Sequence, residues 1–154
     1  MKKKIIAMAI PLEEELLEPF YTWKEKYHFQ EGEYLHVIHV VKKNITPLEF
    51  GLMESPDEST FKEMAPTLKK FLQDEVKKII PNDFSGEITY KLSCGFHPEQ
   101  DVVHYLRKIA ADLIVVSTRG KHGFQGLFHS SFTEYMVKFA PCDVYVVRPT
   151  VKKI

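Results

Sequence analysis

The residues of this chain best suited to chemistry lie between Ser117 and Ser131, in the order Ser-Thr-Arg-Gly-Lys-His-Gly-Phe-Gln-Gly-Leu-Phe-His-Ser-Ser. Gly120, Gly123 and Gly126 recur at every third position. A glycine-punctuated turn leaves backbone N–H groups exposed. Where it leads into a helix, those groups and the positive helix end converge on an anion. The chemistry on offer is therefore phosphate binding, with Arg119, Lys121 and His122 as cationic neighbours. The pattern is neither a Walker A loop, which needs G-K-[ST], nor a G-x-G-x-x-G fingerprint. By themselves the glycines describe a turn equally well.

Other reactive side chains form no constellation. His36 and His39 stand three apart in an apolar run, so on a strand they face opposite sides and cannot share a metal. There is no H-x-x-x-H pattern and no Cys/His cluster, and no metal site is expected. There is no G-x-S-x-G elbow, and Ser117 has no acid–base partner that sequence can set beside it, so no catalytic residue is expected. Cys94 and Cys142 are far apart and read as small buried apolar residues in a reducing compartment. The chain of 154 residues carries 21 basic and 21 acidic side chains. That balance supplies no basic excess to drive binding to nucleic acid or to an anionic membrane. No apolar run approaches the roughly 20 residues of a spanning helix. Met1 to Ile10 imitates a signal peptide, with three lysines before an apolar run. Pro11 and Glu13-Glu14-Glu15 cut it without a small-residue cleavage site, so it reads as a strand and the chain as cytoplasmic.

These residues need elements to hold them. Lys4–Ile10 is a short apolar run, the pattern of a strand covered on both faces. Leu12, Leu16, Phe20, Trp23 and Tyr27 follow at helical spacing. Pro19 either kinks that helix or stands in the first turn of one beginning near Glu18. Tyr34–Val41 is a second strand. Residues 42–59, with Pro47, Gly51 and Pro56, read as an irregular surface loop. Thr60-Phe61-Lys62-Glu63 resembles a capping box, opening a helix striped by Phe61, Met64, Leu68, Leu72, Val76 and Ile79. Ile88–Cys94 alternates as a third strand. Pro98 opens a third helix, with Val102, Val103 and Leu106 inward. Asp112–Thr118 is the fourth strand. Ser130 or Ser131 caps a fourth helix carrying Phe132, Met136, Val137 and Phe139. Asp143–Arg148 is the fifth strand. The alternation predicts one α/β domain over residues 1–154, a five-stranded, mainly parallel sheet with helices on both faces. Ligands in such sheets bind beyond the carboxyl ends of the strands, where strand order reverses. The loop after Ser117 leaves such an end.

Three stretches together carry a resemblance: Asp112-Leu-Ile-Val-Val-Ser-Thr-Arg-Gly120, Leu127-Phe-His-Ser-Ser-Phe-Thr-Glu134 and Ala140-Pro-Cys-Asp-Val-Tyr-Val-Val-Arg-Pro149. With Gly95-x-x-Pro98 and Leu35–Val40, the chain resembles the universal stress protein family. The likeness is strong from Asp112 onward and weak over residues 12–59. It implies a Rossmann-like, adenine nucleotide alpha hydrolase-like fold. Nucleotide-binding members share G-x-x-G, nine residues, then G-[ST], which holds phosphates, and an aspartate ending the first strand, which meets adenine. Here the motif falls on Ser117, Gly120, Ser130 and Ser131, and the aspartate position on Ile10, with Val40 completing the implied adenine pocket. Serine replaces glycine at Ser117 and Ser130, where backbone approach is closest. Ile10 cannot accept a hydrogen bond, which leaves a buried amino group unpaired at about 1–3 kcal/mol. The resemblance therefore implies a non-catalytic stress-response module with weak or no nucleotide binding. The alternative is a sensor of ATP or AMP with at most slow hydrolysis or self-phosphorylation. It also implies a homodimer paired through the last strand, Val144, Tyr145, Val146 and Val147. The other reading of that apolar edge is that the short tail, residues 150–154, covers it.

Overall fold

The structure, a computed structural model, describes residues 2–118 and 131–150. Of the residues singled out above, Gly120 and Ser130 lie outside that range, as do Arg119, Lys121 and His122, and of Ser131 only the backbone is described. The chain runs β1 (Lys4–Ala9), α1 (Glu14–Lys26), β2 (Glu33–Lys42), β3 (Asn44–Leu48) and β4 (Gly51–Ser55). It continues as α2 (Glu58–Ile79), β5 (Ile88–Gly95), α3 (Pro98–Ile109), β6 (Leu113–Ser117), α4 (Ser131–Phe139) and β7 (Asp143–Val147).

Five strands form one parallel sheet in the order β5-β2-β1-β6-β7. The chain builds outward from β1 to one side, then returns to fill the other. The reversal falls between β1 and β6, which pair through Ile6–Leu113, Ala7–Ile114 and Met8–Val115. A strand with period two feeds two faces. Ile6 and Met8 pack with Leu17, Phe20 and Trp23 of α1 and Leu72, Val76 and Ile79 of α2. Ala7 and its neighbours Ile38, Ile114 and Val116 pack with Val102, Val103 and Leu106 of α3 and Met136 of α4. Helices thus cover both faces, which is why the strands read as nearly continuous apolar runs.

Helix α1 is continuous through Pro19, which is buried in its middle, so no second start occurs at Glu18. Three local expectations need correction. Helix α2 starts before the expected capping box: Asp57 is the N-cap, and its Oδ1 accepts the Thr60 N–H at 2.7 Å. A carboxylate satisfies an orphan donor and complements the helix dipole as well, so it wins the position. Residues 42–59 contain a two-stranded antiparallel ribbon, β3–β4, turning at Glu49-Phe50. Its apolar residues face solvent, Phe50 at 95% exposure, so no burial period marked it as paired. On α4, Met136 is buried, whereas Val137 and Phe139 are exposed. Val137 lies about 100° around the helix from Met136, and Phe139 packs on Tyr135 at 4.6 Å between ring centroids on the surface.

Candidate functional site

A cleft of about 190 Å³ opens at the carboxyl ends of β1, β2 and β6. This is where strand order reverses and where such sheets take ligands. The floor is strand backbone and apolar side chain, from Ala9, Ile10, Ile38, Val40 and Val116. Pro98 and Val102 of α3 and Phe132 of α4 close one wall, and Leu16 of α1 the other. The polar side chains in the lining are Glu13, His39, Ser117 and Thr133.

Each polar group is held by its neighbours. Ile10 extends β1 by one ladder bond, its N–H donating to Ile38 O at 3.0 Å. Its side chain is 1% exposed. Its carbonyl lies 2.8 Å from His39 Nδ1. A carbonyl can only accept, so Nδ1 carries the proton and Nε2 is left as an acceptor. Burial pushes the His39 pKa below its usual value, only partly offset by that bond, and the ring is neutral at pH 7. Ser117 Oγ donates to Leu16 O at 2.7 Å, and Ser117 O accepts from Thr133 Oγ1 at 2.8 Å. The end of β6 is thereby tied to α1 on one side and α4 on the other. The Ser117 proton is committed inward, away from any anion over the cleft.

Ile10, Val40 and Ser117 therefore converge on one cleft. Ser131 begins α4, whose second and third residues, Phe132 and Thr133, reach the same cleft. Val144–Val147 lie elsewhere, in β7 at the end of the sheet. Among the described residues β7 pairs only with β6. Two participants were missed by sequence reasoning. Thr133 carries no motif. His39 was weighed only as a metal ligand; it reaches Ile10 O through the register of β2 against β1, which no sequence signal carries.

The remaining reactive groups lie outside the cleft. Both cysteines are partly buried and free of disulfides. Burial pushes the Cys142 thiol up to about 11, and raises that of Cys94, so neither is a thiolate at neutral pH. Among the described residues no group of three or more His, Cys, Asp or Glu is placed to hold a metal. No helix among them is long and apolar enough to cross a membrane.

Comparison with known proteins agrees with this fold. The model described as the universal stress protein family matches residues 30–148. Universal stress protein MJ0531 of Methanocaldococcus jannaschii is 30% identical over 100 residues, 64% of this chain. The match spans 58% of that relative, less than two thirds of its length. A universal stress protein family protein from Arabidopsis thaliana, solved with AMP bound, superposes with a TM-score of 0.57 at 14% identity, covering 97% of this chain and 94% of that one. The universal stress protein of Archaeoglobus fulgidus, solved in complex with dAMP, gives a TM-score of 0.56 at 15% identity, covering 95% and 98%. At such identities these two structures establish the shared fold.

Proposed function

This chain belongs to the universal stress protein family, and we propose that it serves as a non-catalytic stress-response module whose nucleotide cleft binds nucleotide weakly or not at all. The observation that carries this reading is Ile10. Where the family resemblance implies a carboxylate for adenine, the cleft has an apolar side chain with its carbonyl already occupied by His39. Ser117 adds to it, because its hydroxyl serves Leu16 O and its Cβ stands where backbone would approach phosphate. Glu13 at the rim repels a polyphosphate, at a cost that salt screens. In this reading the module is cytoplasmic, with no metal and no catalytic residue. It works as a homodimer through Val144, Tyr145, Val146 and Val147, because an apolar edge strand that pairs on one side only among the described residues invites a second copy. Calorimetric titration of ATP and of AMP in magnesium buffer tests the cleft: affinity no tighter than high micromolar is expected, and low-micromolar binding overturns the reading. Sedimentation velocity tests the assembly, with a dimer expected.

A second reading has its own support in the relatives solved with AMP and dAMP bound. In it the chain is an ATP or AMP sensor with at most slow hydrolysis. Gly120 and the Ser131 hydroxyl would hold the phosphates. Gly120→Val and Ser131→Ala should then each weaken measured binding at least tenfold; unchanged binding removes the phosphate-loop version of this reading.

A further inference from the structure

Of the acceptors on the described side chains of the cleft, one has no partner among the described residues. The Ile10 N–H is used by Ile38 O, and the Ile10 carbonyl by His39 Nδ1. The protons of the Ser117 and Thr133 hydroxyls are spent on Leu16 O and Ser117 O. Both residues are only 7% exposed. Glu13 is a carboxylate at the mouth, and it is already engaged. Among the described side chains of the lining, His39 Nε2 is the remaining polar atom. Its ring is neutral and fixed in tautomer by the Nδ1 bond. No further partner holds Nε2 among the described residues, and it is not one of the enclosed unpaired atoms, where Trp23 Nε1 stands alone among them. An in-plane lone pair beside an otherwise apolar slot suits a flat ring that carries an N–H donor, and it opposes a ring that brings a carbonyl to the same place.

We infer that His39 is the base-reading residue of the cleft, its Nε2 accepting a hydrogen bond from the exocyclic amino group of adenine. The inference rests on the reading above, that the cleft survives as a slot of weak affinity. It adds the residue that gives the slot its chemical preference. His39 replaces a charged acceptor by a neutral one, so the bond is the weaker kind. Discrimination survives because a keto base leaves two acceptors facing each other.

The test is titration of the full chain with adenosine, inosine and unsubstituted purine riboside at pH 7.5, followed by NMR shift changes. Adenosine should bind at least about fivefold more tightly than inosine, with purine riboside between them. His39→Asn separates reading from structure. The Asn amide can still donate to Ile10 O, so the variant should keep its melting temperature, yet it lacks Nε2 and should bind adenosine and inosine within about twofold of each other. Equal binding of adenosine and inosine by the unmodified chain overturns the inference, as does an undiminished preference in His39→Asn. Absence of nucleoside binding at millimolar concentration also overturns it, while leaving the proposed function standing. Low-micromolar ATP binding would overturn the proposed function and leave the role of His39 to the nucleoside series.

Discussion

The two ends of the parallel sheet are built on opposite plans. At the amino ends of the strands, Glu33 opens β2 with 3% exposure and a full set of partners. It accepts from Tyr27 OH at 3.0 Å and from the Gln30 N–H at 2.8 Å, and pairs with Lys4 Nζ at 3.2 Å. Asp112 closes the neighbouring gap, accepting the Ile5 N–H at 2.8 Å while its own N–H returns a bond to Ile5 O. At the carboxyl ends the cleft is floored largely by apolar side chains, and among the described residues no partner holds His39 Nε2. Both carboxylates at the first end are engaged by the fold. At the second end β1 runs out into Ile10, an apolar side chain. The difference teaches where this chain spends buried charge: on closing the bottom of the sheet, with the ligand end left nearly apolar.

The strongest way to break this comparison is Glu33→Ala. It leaves a half-buried tyrosine hydroxyl and a backbone N–H without their acceptor and takes from Lys4 the carboxylate it pairs with. The expected loss is about 3 kcal/mol of unfolding free energy, read as a lowered urea midpoint. A loss under about 1 kcal/mol would mean that the amino end is no more committed to stability than the cleft. At the opposite end, Ser117→Ala removes one neutral hydrogen bond and should cost only about 1 kcal/mol. Because the serine proton serves Leu16 O, the same variant should leave ATP titrations unchanged. A clear weakening of ATP binding would move Ser117 from the scaffold into a working phosphate site.

Acid should act on β2 next. Burial lowers the pKa of His39, and also that of His36, whose Nδ1 meets Tyr105 OH at 2.9 Å. The folded state therefore binds these protons less readily than the unfolded chain. Their contribution is fully present above the unfolded value of about 6.5 and declines as pH falls through the window down to the lowered folded values. The urea midpoint should drop between about pH 7 and 5. His39→Asn should flatten part of that slope, and an unchanged slope would assign it to other groups.

Much of the fold is legible in the residues, for identifiable reasons. The strands of the parallel sheet show as apolar runs because helices cover both faces. Helices α2 and α3 show because one stripe of each is buried. The β3–β4 ribbon does not show, since Ile45, Leu48, Leu52 and Met53 are exposed on both of its faces and leave no contrast to read. Asp57 was hidden behind Thr60-x-x-Glu63, which satisfies the same signature three residues later. In the cleft, Ile10, Val40 and Ser117 can be placed from the ends of their strands alone. His39 cannot. Its bond to Ile10 O depends on the register that sets Ala9 against Ile38, and so brings His39 beside the end of β1. That register is a through-space property of two strands separated by a helix.

The smallest expected effect sharpens the comparison most finely. Asp112 holds a backbone N–H through Oδ2 at 2.8 Å, and nothing in that contact requires a charge, since any carbonyl-like oxygen can accept it. Asp112→Asn keeps an acceptor of the same size and reach. Its cost should stay below about 0.5–1 kcal/mol, the difference between a charge-assisted bond and a neutral one. Asp112→Ala, which removes the acceptor and leaves the Ile5 N–H unpaired, should cost about 1–3 kcal/mol. If Asn proved as damaging as Ala, the negative charge itself would be the working element at the amino end. The two ends of the sheet would then differ in electrostatics as well as in hydrogen-bond saturation. If both were harmless, water would be reaching the Ile5 N–H, and closure of the amino end would rest on Glu33 alone.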